Sequence, residues 1–239
     1  METYENTVMK WIGYILFLVV IAVYAFNIGG GSAESLDTQG IVTFGSYEQD
    51  NNPENGSEPI EWFVLEQKDG KTLLVSRFGL DSLPYHDSDG DVTWEKCSLR
   101  SWLNNVFLQS AFTVDEQASI QFTMVDNSAS QGNDMSISSA DTQDKVFLLS
   151  YSEAFAKYFL TNESRMCAPT DYAVARGAFT SSDSLTNGRP AGSWWLRSPV
   201  DTLMNALVVD FDGSQLFSNI HFCNQTVRPA VWVDTAALR

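Results

Sequence analysis

Side chains of the kinds that bind ligands are concentrated between Asp201 and Asn224. Amides, carboxylates, hydroxyls and an imidazole offer adaptable hydrogen bonding, and phenylalanines supply rigid anchors, which is the composition of a recognition surface. The predicted contact residues are Asn205, Asp210, Asp212, Ser214, Gln215, Phe217, Asn219, His221, Phe222 and Asn224. Composition alone fits an ordinary solvated loop closed by hairpins equally well, so this surface is a hypothesis about binding.

Carboxylates at residues 87–91 (DSDGD) suggest calcium, because they resemble the start of a calcium-binding loop. An EF-hand requires glycine at the sixth position and glutamate at the twelfth, where this chain has Val92 and Ser98. Asp210 and Asp212 offer oxygen ligands, but in the run Asp-Phe-Asp-Gly they suit a turn. We therefore expect no metal site and no cofactor, with calcium as the weaker alternative.

The residues needed for nucleophilic catalysis are sparse. The chain has two histidines, His86 and His221, and no Gly-x-Ser-x-Gly nucleophile elbow. Its cysteines are Cys97, Cys167 and Cys223, an odd number without a Cys-x-x-Cys pair. We predict that these cysteines are buried free thiols, and one disulfide between two of them is the alternative. We expect a protein that is not an enzyme.

Arginines stand among aromatic and apolar residues in the runs 194–199 (WWLRSP) and 227–232 (VRPAVW). A guanidinium keeps its charge, so its burial requires carboxylates or carbonyls around it. We predict structural roles, tying helix to sheet, rather than anion binding. The residues given this role are Arg100, Arg197, Arg228, Trp102 and Trp195.

Charge and composition limit the classes of partner. The 239 residues include 14 basic and 30 acidic side chains, for a formal net charge of -16, so the chain repels phosphate backbones and nucleic acid is excluded as a partner. Hydrophobic residues make up 44% of the chain, which is enough for a sizeable core.

The N-terminus carries an apolar run without charged residues over residues 11–26. We predict a cytoplasmic tail at 1–10, a transmembrane anchor at 11–28, a linker at 29–40 and an exported domain at 41–239, because Lys10 precedes the run and aromatic residues flank it. A cleaved signal peptide is the alternative, since Gly31-Ser32-Ala33 is a plausible cleavage site. Both interpretations place the domain at 41–239 outside the cytoplasm. Our prediction is a single-pass protein of the cell membrane.

Periodicity and turn signals predict an α+β domain. Strands are expected at 41–47, 60–67, 72–78, 194–197, 206–210 and 227–233, with hairpins at Asp69-Gly70 and Asp212-Gly213. A helix is expected at 98–107, and Thr113 with Glu116 and Ser150 with Glu153 fit capping boxes. Thr170 should cap a short helix.

An ordered series of motifs covers residues 41–233. It comprises 44–47 (FGSY), 59–62 (PIEW) with 64–65 (VL), 73–76 (LLVS), 84–85 (PY), 93–95 (TWE), 99–104 (LRSWLN), 144–150 (DKVFLLS), 169–170 (PT) with 172–173 (YA), 194–199 (WWLRSP) and 227–230 (VRPA). In these motifs the chain resembles the bacterial family named domain of unknown function 6273. Its closing motifs are similar to the C-type-lectin-like superfold, which includes formylglycine-generating-enzyme relatives.

That resemblance implies a small twisted antiparallel sheet with two main flanking helices, paired chain termini, and a long loop region before the last strand as the ligand surface. The resulting hypothesis is a membrane-anchored, extracytoplasmic binding module that recognises a glycan, an envelope polymer or a protein through residues 201–224. Two alternatives remain: an enzyme or enzyme relic of the formylglycine-generating type, requiring Cys167 close to Cys223 with a metal, and a structural envelope component that contacts its own assembly.

Overall fold

The computed structural model describes residues 40–88, 90, 92–200 and 204–238. The predicted cytoplasmic tail at 1–10, the anchor at 11–28 and residues 29–39 of the linker lie outside the described residues. In the part of the chain that is described, no helix has the length and hydrophobicity that a membrane crossing requires.

The described domain is α+β with a predominance of strands, which confirms the predicted class. The strands are β1 Ile41–Tyr47, β2 Glu58–Lys68, β3 Lys71–Ser76, β4 Asp81–Ser82, β5 Thr123–Val125, β6 Thr142–Asp144, β7 Val146–Phe147, β8 Ser181–Thr186, β9 Arg189–Ala191, β10 Trp194–Pro199, β11 Asn205–Val209, β12 Gln215–Asn219, β13 Thr226–Val227 and β14 Ala230–Asp234. They form two five-stranded sheets and two separate pairs, β5–β6 and β8–β9.

The first five-stranded sheet has the order β1-β2-β3-β14-β7 and is antiparallel throughout. The turn between β2 and β3 is Asp69-Gly70, both with positive φ (51° and 73°), so the predicted hairpin is confirmed. The first and last strands, β1 and β14, share this sheet but do not pair, because the β2–β3 hairpin lies between them. The expectation of paired termini is therefore wrong.

The second five-stranded sheet has the order β12-β11-β10-β13-β4, in which only the β10–β13 pair is parallel. Arg228 and Pro229 lead the chain from β13 here to β14 in the first sheet. The single strand predicted at 227–233 is thus two strands in different sheets. Pro229 has no N–H for a ladder, and its carbonyl instead accepts from the Ser76 N–H at 2.9 Å.

The helical segments are short, in contrast to the two main flanking helices that the resemblance implied. The α-helices are α1 Ser98–Trp102, α2 Leu108–Ala111, α3 Val114–Ser119, α4 Asn162–Arg165 and α5 Asp171–Ala175; π-helical segments are Leu103–Phe107 and Glu153–Tyr158, and 3-10 turns are Trp94–Lys96, Ala129–Gln131 and Thr235–Ala237. The capping box of Thr113 with Glu116 is present, and the Thr170 side chain caps α5. Ser150 and Glu153 also exchange the two bonds of a capping box, at 2.8 and 3.1 Å.

The helix predicted at 98–107 exists, but its geometry changes after Trp102. The side-chain amide of Asn104 donates to the Arg100 carbonyl at 3.1 Å, and that of Asn105 to the Ser101 carbonyl at 2.7 Å. Each side chain thereby competes for the carbonyl four residues earlier that α-helical bonding would use. A π-helical stretch at Leu103–Phe107, continuous with α1 and α2, accompanies this competition.

The core surrounds β10 and β11. Every residue of β10 is buried, and so are the last four residues of β11, which means that both faces of these strands are covered. Four tryptophans, Trp62, Trp94, Trp194 and Trp195, are fully buried. The neighbouring strand β12 lies at the rim of this sheet and carries the more exposed side chains of the predicted recognition segment.

Candidate functional site

Most of the segment predicted as an irregular recognition loop is a regular hairpin, β11–β12. Asn205 to Val209 pair with Asn219 to Gln215 without a register shift, and Gly213 with φ 80° forms the turn, as Asp212-Gly213 predicted. The loop description of residues 201–224 is therefore wrong for its central part, whereas the strand predicted at 206–210 is confirmed as β11. Apolar β11 is buried in the sheet and β12 forms its edge, which leaves only part of the segment accessible.

A row of three predicted contact residues follows one face of β12. Gln215, Phe217 and Asn219 alternate along the strand, so their side chains point to the same side. Phe217 is 51% exposed, and the two amides are half-buried. Asn205 lies directly opposite Asn219 on β11 and extends the row. An exposed ring flanked by amides combines an apolar platform with donors and acceptors on both sides.

Three other predicted contact residues shape the hairpin turn. Asp210 accepts from the Ser193 hydroxyl at 2.6 Å and from the Phe211 N–H at 2.8 Å. Asp212 accepts from the Ser214 N–H at 2.9 Å. Hydrogen bonds from the hydroxyl and the backbone of Ser214 lower the pKa of Asp212. These carboxylates are engaged in the turn, as the Asp-Phe-Asp-Gly run suggested.

The remaining predicted contacts, His221, Phe222 and Asn224, lie in the loop after β12. His221 Nδ1 is 3.0 Å from the His86 carbonyl oxygen, and the Asn224 carbonyl accepts from the Phe179 N–H at 2.9 Å. Phe222 is 58% exposed. The structure thus divides the predicted set into a strand row, a turn and a loop, and the exposed member of each is Phe217, Asp212 and Phe222, respectively.

Two of the arginines predicted to be structural form ion pairs. Arg197, 3% exposed, forms an ion pair with Glu153 and donates to the Leu148 carbonyl at 2.9 Å. Arg100 donates to the buried carboxylate of Asp144 at 2.6 Å. The first pair joins β10 to the π-helical segment at Glu153–Tyr158, and the second joins α1 to β6. Both guanidinium groups therefore have structural partners within the domain.

Arg228 is fully buried and has no ion pair with any described residue. Its guanidinium lies 5.0 Å from the ring centroid of Phe159 and 4.8 Å from that of Trp194. It donates to the Ser76 carbonyl at 3.0 Å and to the Arg165 carbonyl at 3.5 Å. Burial lowers the pKa of Arg228. Carbonyls and rings, rather than carboxylates, hold this charge.

The two tryptophans assigned structural roles are also packed inside. Trp195 is fully buried and its indole N–H donates to the Leu83 carbonyl at 2.9 Å. Trp102 is partly buried, and its ring lies 5.4 Å from that of Phe107.

The cysteines do not form disulfides with one another. Cys97 and Cys167 are buried, whereas Cys223 is exposed. Burial raises the pKa of Cys97 to about 12 and also raises that of Cys167. Thiolate is the nucleophilic and metal-binding form, so neither buried cysteine has the environment of a reactive thiol.

An acidic cluster that the sequence analysis missed lies in and beside the loop between β1 and β2. Carboxylate oxygens of Glu48, Asp50 and Glu58 lie within 4.8 Å of one another, the one such group of metal-type ligands found among the described residues. Glu58 accepts from the Gln49 N–H at 2.7 Å, and Glu48 from the Asn52 N–H at 2.8 Å. These bonds order the loop. The signal available in the sequence is only that residues 49–59 are polar and rich in turn-forming Asn, Asp, Pro and Gly.

A small pocket of about 130 Å³ borders this acidic loop. It is lined by Gln49, Asp50, Phe78, Thr170, Asp171 and Arg189. Arg189 forms an ion pair with Asp171, so the pocket's cation is already paired. Sites for drug-sized ligands are typically about 300–1,000 Å³. The pocket therefore suits a few water molecules or the end of a side chain rather than a whole small-molecule ligand.

Comparison with known proteins identifies a family. The sequence pattern of the family described as a domain of unknown function (DUF6273) matches residues 69–235, which is more than half of the chain. The match begins in the β2–β3 turn and includes the β11–β12 hairpin and the crossing at Arg228. None of the curated proteins and none of the solved structures compared with the chain matches it. The chain belongs to the DUF6273 family.

Proposed function

We propose that this domain is a non-catalytic binding module, which recognises a glycan, an envelope polymer or a protein ligand through the outer face of the β11–β12 hairpin. The observation that carries the proposal is the row Gln215, Phe217 and Asn219 on edge strand β12. An exposed aromatic ring can stack on an apolar ligand face, while planar amides on both sides exchange hydrogen bonds with its polar groups.

The setting of this row favours recognition by a rigid surface. The strands β10 and β11 beside it are buried on both faces, so the row stands on the packed core of the domain. A rigid platform loses little conformational entropy on binding. Phe222, exposed in the loop after β12, offers a second anchor near one end of the row.

The cellular setting is part of the proposal. We propose a single-pass protein anchored in the cell membrane by residues 11–28, with this domain on the extracytoplasmic side and an architecture of the C-type-lectin-like kind. Two features support that architecture: the first and last strands share one sheet, and the exposed face belongs to the segment before the final strand. Cell-surface ligands are then the accessible ones.

The test is binding of the full chain to a glycan panel and to isolated bacterial envelopes, with and without calcium. Phe217→Ala should weaken binding by about tenfold or more, because aromatic anchors at the centre of an interface dominate its energy. Phe122→Ala is the matched control, since Phe122 is 66% exposed next to β5 and outside the hairpin.

Two results would count against the proposal: no binding to any probe, or equal binding by the Phe217 and Phe122 variants. Circular dichroism of each variant checks that the fold is retained.

A further inference from the structure

The outer edge of β12 carries main-chain groups that no neighbouring strand pairs; of these, the Asn219 carbonyl accepts from the Phe222 N–H at 3.0 Å within the following turn. The hydrogen bonds from Ile220 N–H to the Met204 carbonyl, 3.0 Å, and from Asp210 N–H to the Ser214 carbonyl, 2.8 Å, fix the phase of the β11–β12 ladder. Bonded and non-bonded pairs alternate in an antiparallel ladder. Gln215, Phe217 and Asn219 therefore occupy non-bonded positions, and their N–H and C=O groups point away from β11. Among the described residues, no strand pairs with this edge.

This edge lacks the features that protect the other edges of the two large sheets. At those edges, β1 has a register shift between Thr43 and Ser46, and β4 and β7 are two residues long. By contrast, β12 has five residues in regular register. It contains no proline and no charged residue, and it exposes Leu216 and Phe217. Bulges, short length, charge and proline are the usual means of preventing edge-to-edge pairing.

The charge distribution favours a second copy of the same chain at this edge. The formal net charge is -16, so two copies repel over most of their surfaces. Residues 213–227, however, contain no Asp, Glu, Lys or Arg. This uncharged stretch includes the whole of β12 and the loop after it, and two copies can approach there without bringing charged strand residues face to face.

We propose that two copies of this chain pair through β12, antiparallel about a two-fold axis at Phe217. This register places Phe217 opposite Phe217 of the second copy and Gln215 opposite its Asn219. The outward main-chain groups of Phe217 form a bonded pair at the axis. On both sides of it the Asn219 N–H donates to the Gln215 carbonyl of the other copy, since the Asn219 carbonyl already accepts from the Phe222 N–H at 3.0 Å. The pairing uses backbone groups, whereas the proposed ligand contacts use side chains. The two Gln–Phe–Asn rows then share one face of a continuous sheet, and the second copy completes the recognition surface.

Cysteine cross-linking in the full chain tests the register. In a Cys223→Ser background, Phe217→Cys should give a disulfide-linked dimer under mild oxidation, because directly opposite Cα atoms of a bonded pair are about 5.5 Å apart, within disulfide range. Gln215→Cys alone should not cross-link, because its own copy lies four residues away. A mixture of the Gln215→Cys and Asn219→Cys proteins should form a heterodimer. Phe122→Cys is the control for non-specific collision.

Charge variants provide a second, non-covalent test by sedimentation velocity. Gln215→Lys with Asn219→Lys places like charges opposite each other twice and should weaken dimerisation by about tenfold or more. Gln215→Lys with Asn219→Glu places opposite charges there and should retain the dimer.

The proposal is overturned if Phe217→Cys cross-links no better than Phe122→Cys, or if the two charge variants associate equally. Association through another segment would persist in both charge variants and would not show the register of the cysteine series. Neither measurement reads ligand binding, so failure here leaves the proposed function standing, and loss of ligand binding alone leaves the dimer standing.

Discussion

Arg228 offers the sharpest test of how this fold tolerates a buried charge. Its guanidinium is fully buried, its Nη2 makes no hydrogen bond with any described residue, and carbonyls of Ser76 and Arg165 accept its other bonds. Replacement of Arg228 by methionine keeps most of the volume and removes the desolvated charge. We expect Arg228→Met to change the free energy of unfolding by no more than about 1 kcal/mol.

The magnitude follows from opposing contributions. The rings of Phe159 and Trp194 can each stabilise a desolvated guanidinium by about 2 kcal/mol, and a charged hydrogen bond to the Ser76 carbonyl adds about 1.5–3 kcal/mol. Removing the ion from water costs several kcal/mol, which offsets most of that gain. Arg228→Ala leaves a cavity as well, so it should lower the free energy of unfolding by about 3–5 kcal/mol.

The matched control is Arg165→Met. Arg165 is also buried, but Nε donates to the Gly213 carbonyl and Nη1 to the Phe159 carbonyl, both at 2.7 Å, and Nη2 to the Asn162 side chain. Its replacement orphans both of these carbonyls, whereas Arg228→Met orphans only that of Ser76, because the Trp194 indole N–H still donates to the Arg165 carbonyl at 3.0 Å. Arg165→Met should therefore cost about 2–4 kcal/mol in the free energy of unfolding. Urea unfolding followed by tryptophan fluorescence measures all three variants, provided that their m-values agree. If Arg228→Met were as unstable as Arg228→Ala, the guanidinium itself would be strongly stabilising and the reasoning would be refuted.

Three further outcomes are expected. Gly213→Ala should lower the free energy of unfolding, measured in urea, by about 3 kcal/mol or more, because a Cβ there would overlap backbone atoms of α4. Gly70→Ala is the control: Gly70 has a similar φ of 73° but open space around it, so the loss should be about 1 kcal/mol. Equal losses in the two variants would contradict this reasoning. Iodoacetamide at about pH 8 should modify Cys223 alone in the native chain, because Cys97 and Cys167 are buried and burial raises the pKa of both thiols. The intact mass should then show a single adduct rather than three. Burial, followed by the neighbouring carboxylate of Asp81, raises the pKa of Tyr47 above its usual 10.0. Above about pH 10 the folded chain therefore keeps a proton that the unfolded chain loses, so the free energy of unfolding should fall as the pH rises. Tyr47→Phe should flatten that fall when urea midpoints are measured against pH, and an unchanged slope would exclude this contribution.

Local structure was the most predictable part of the fold. The strand at Ile41–Tyr47, the Asp69-Gly70 hairpin and the helix cap at Thr170 follow from neighbouring residues, and the structure confirms each of them. Alternation, positive φ and capping depend on energies within a few residues. For the same reason the sequence indicated that Asp212-Gly213 forms a turn, and with it the hairpin that carries the candidate site.

The candidate site itself was only partly predictable. Composition pointed to the segment that carries the proposed site, yet it could not separate Phe217, which is exposed, from Asp210, whose carboxylate is engaged in the turn. It also missed the carboxylates of Glu48 and Glu58, which a loop brings together. Exposure and proximity depend on what packs beside a residue, and those neighbours are distant in the sequence.

The sequence by itself determined the α+β class, the family, the acidic charge and the uncharged stretch at 213–227. Tertiary structure alone decided that β12 is an open edge, that Pro229 separates strands of two sheets, and that Arg228 lies between two rings. The physical reason is the range of the interactions involved. Backbone preferences and turn chemistry act between neighbours in the chain, whereas strand order and burial are set by the contacts that bury the most apolar surface across the whole domain.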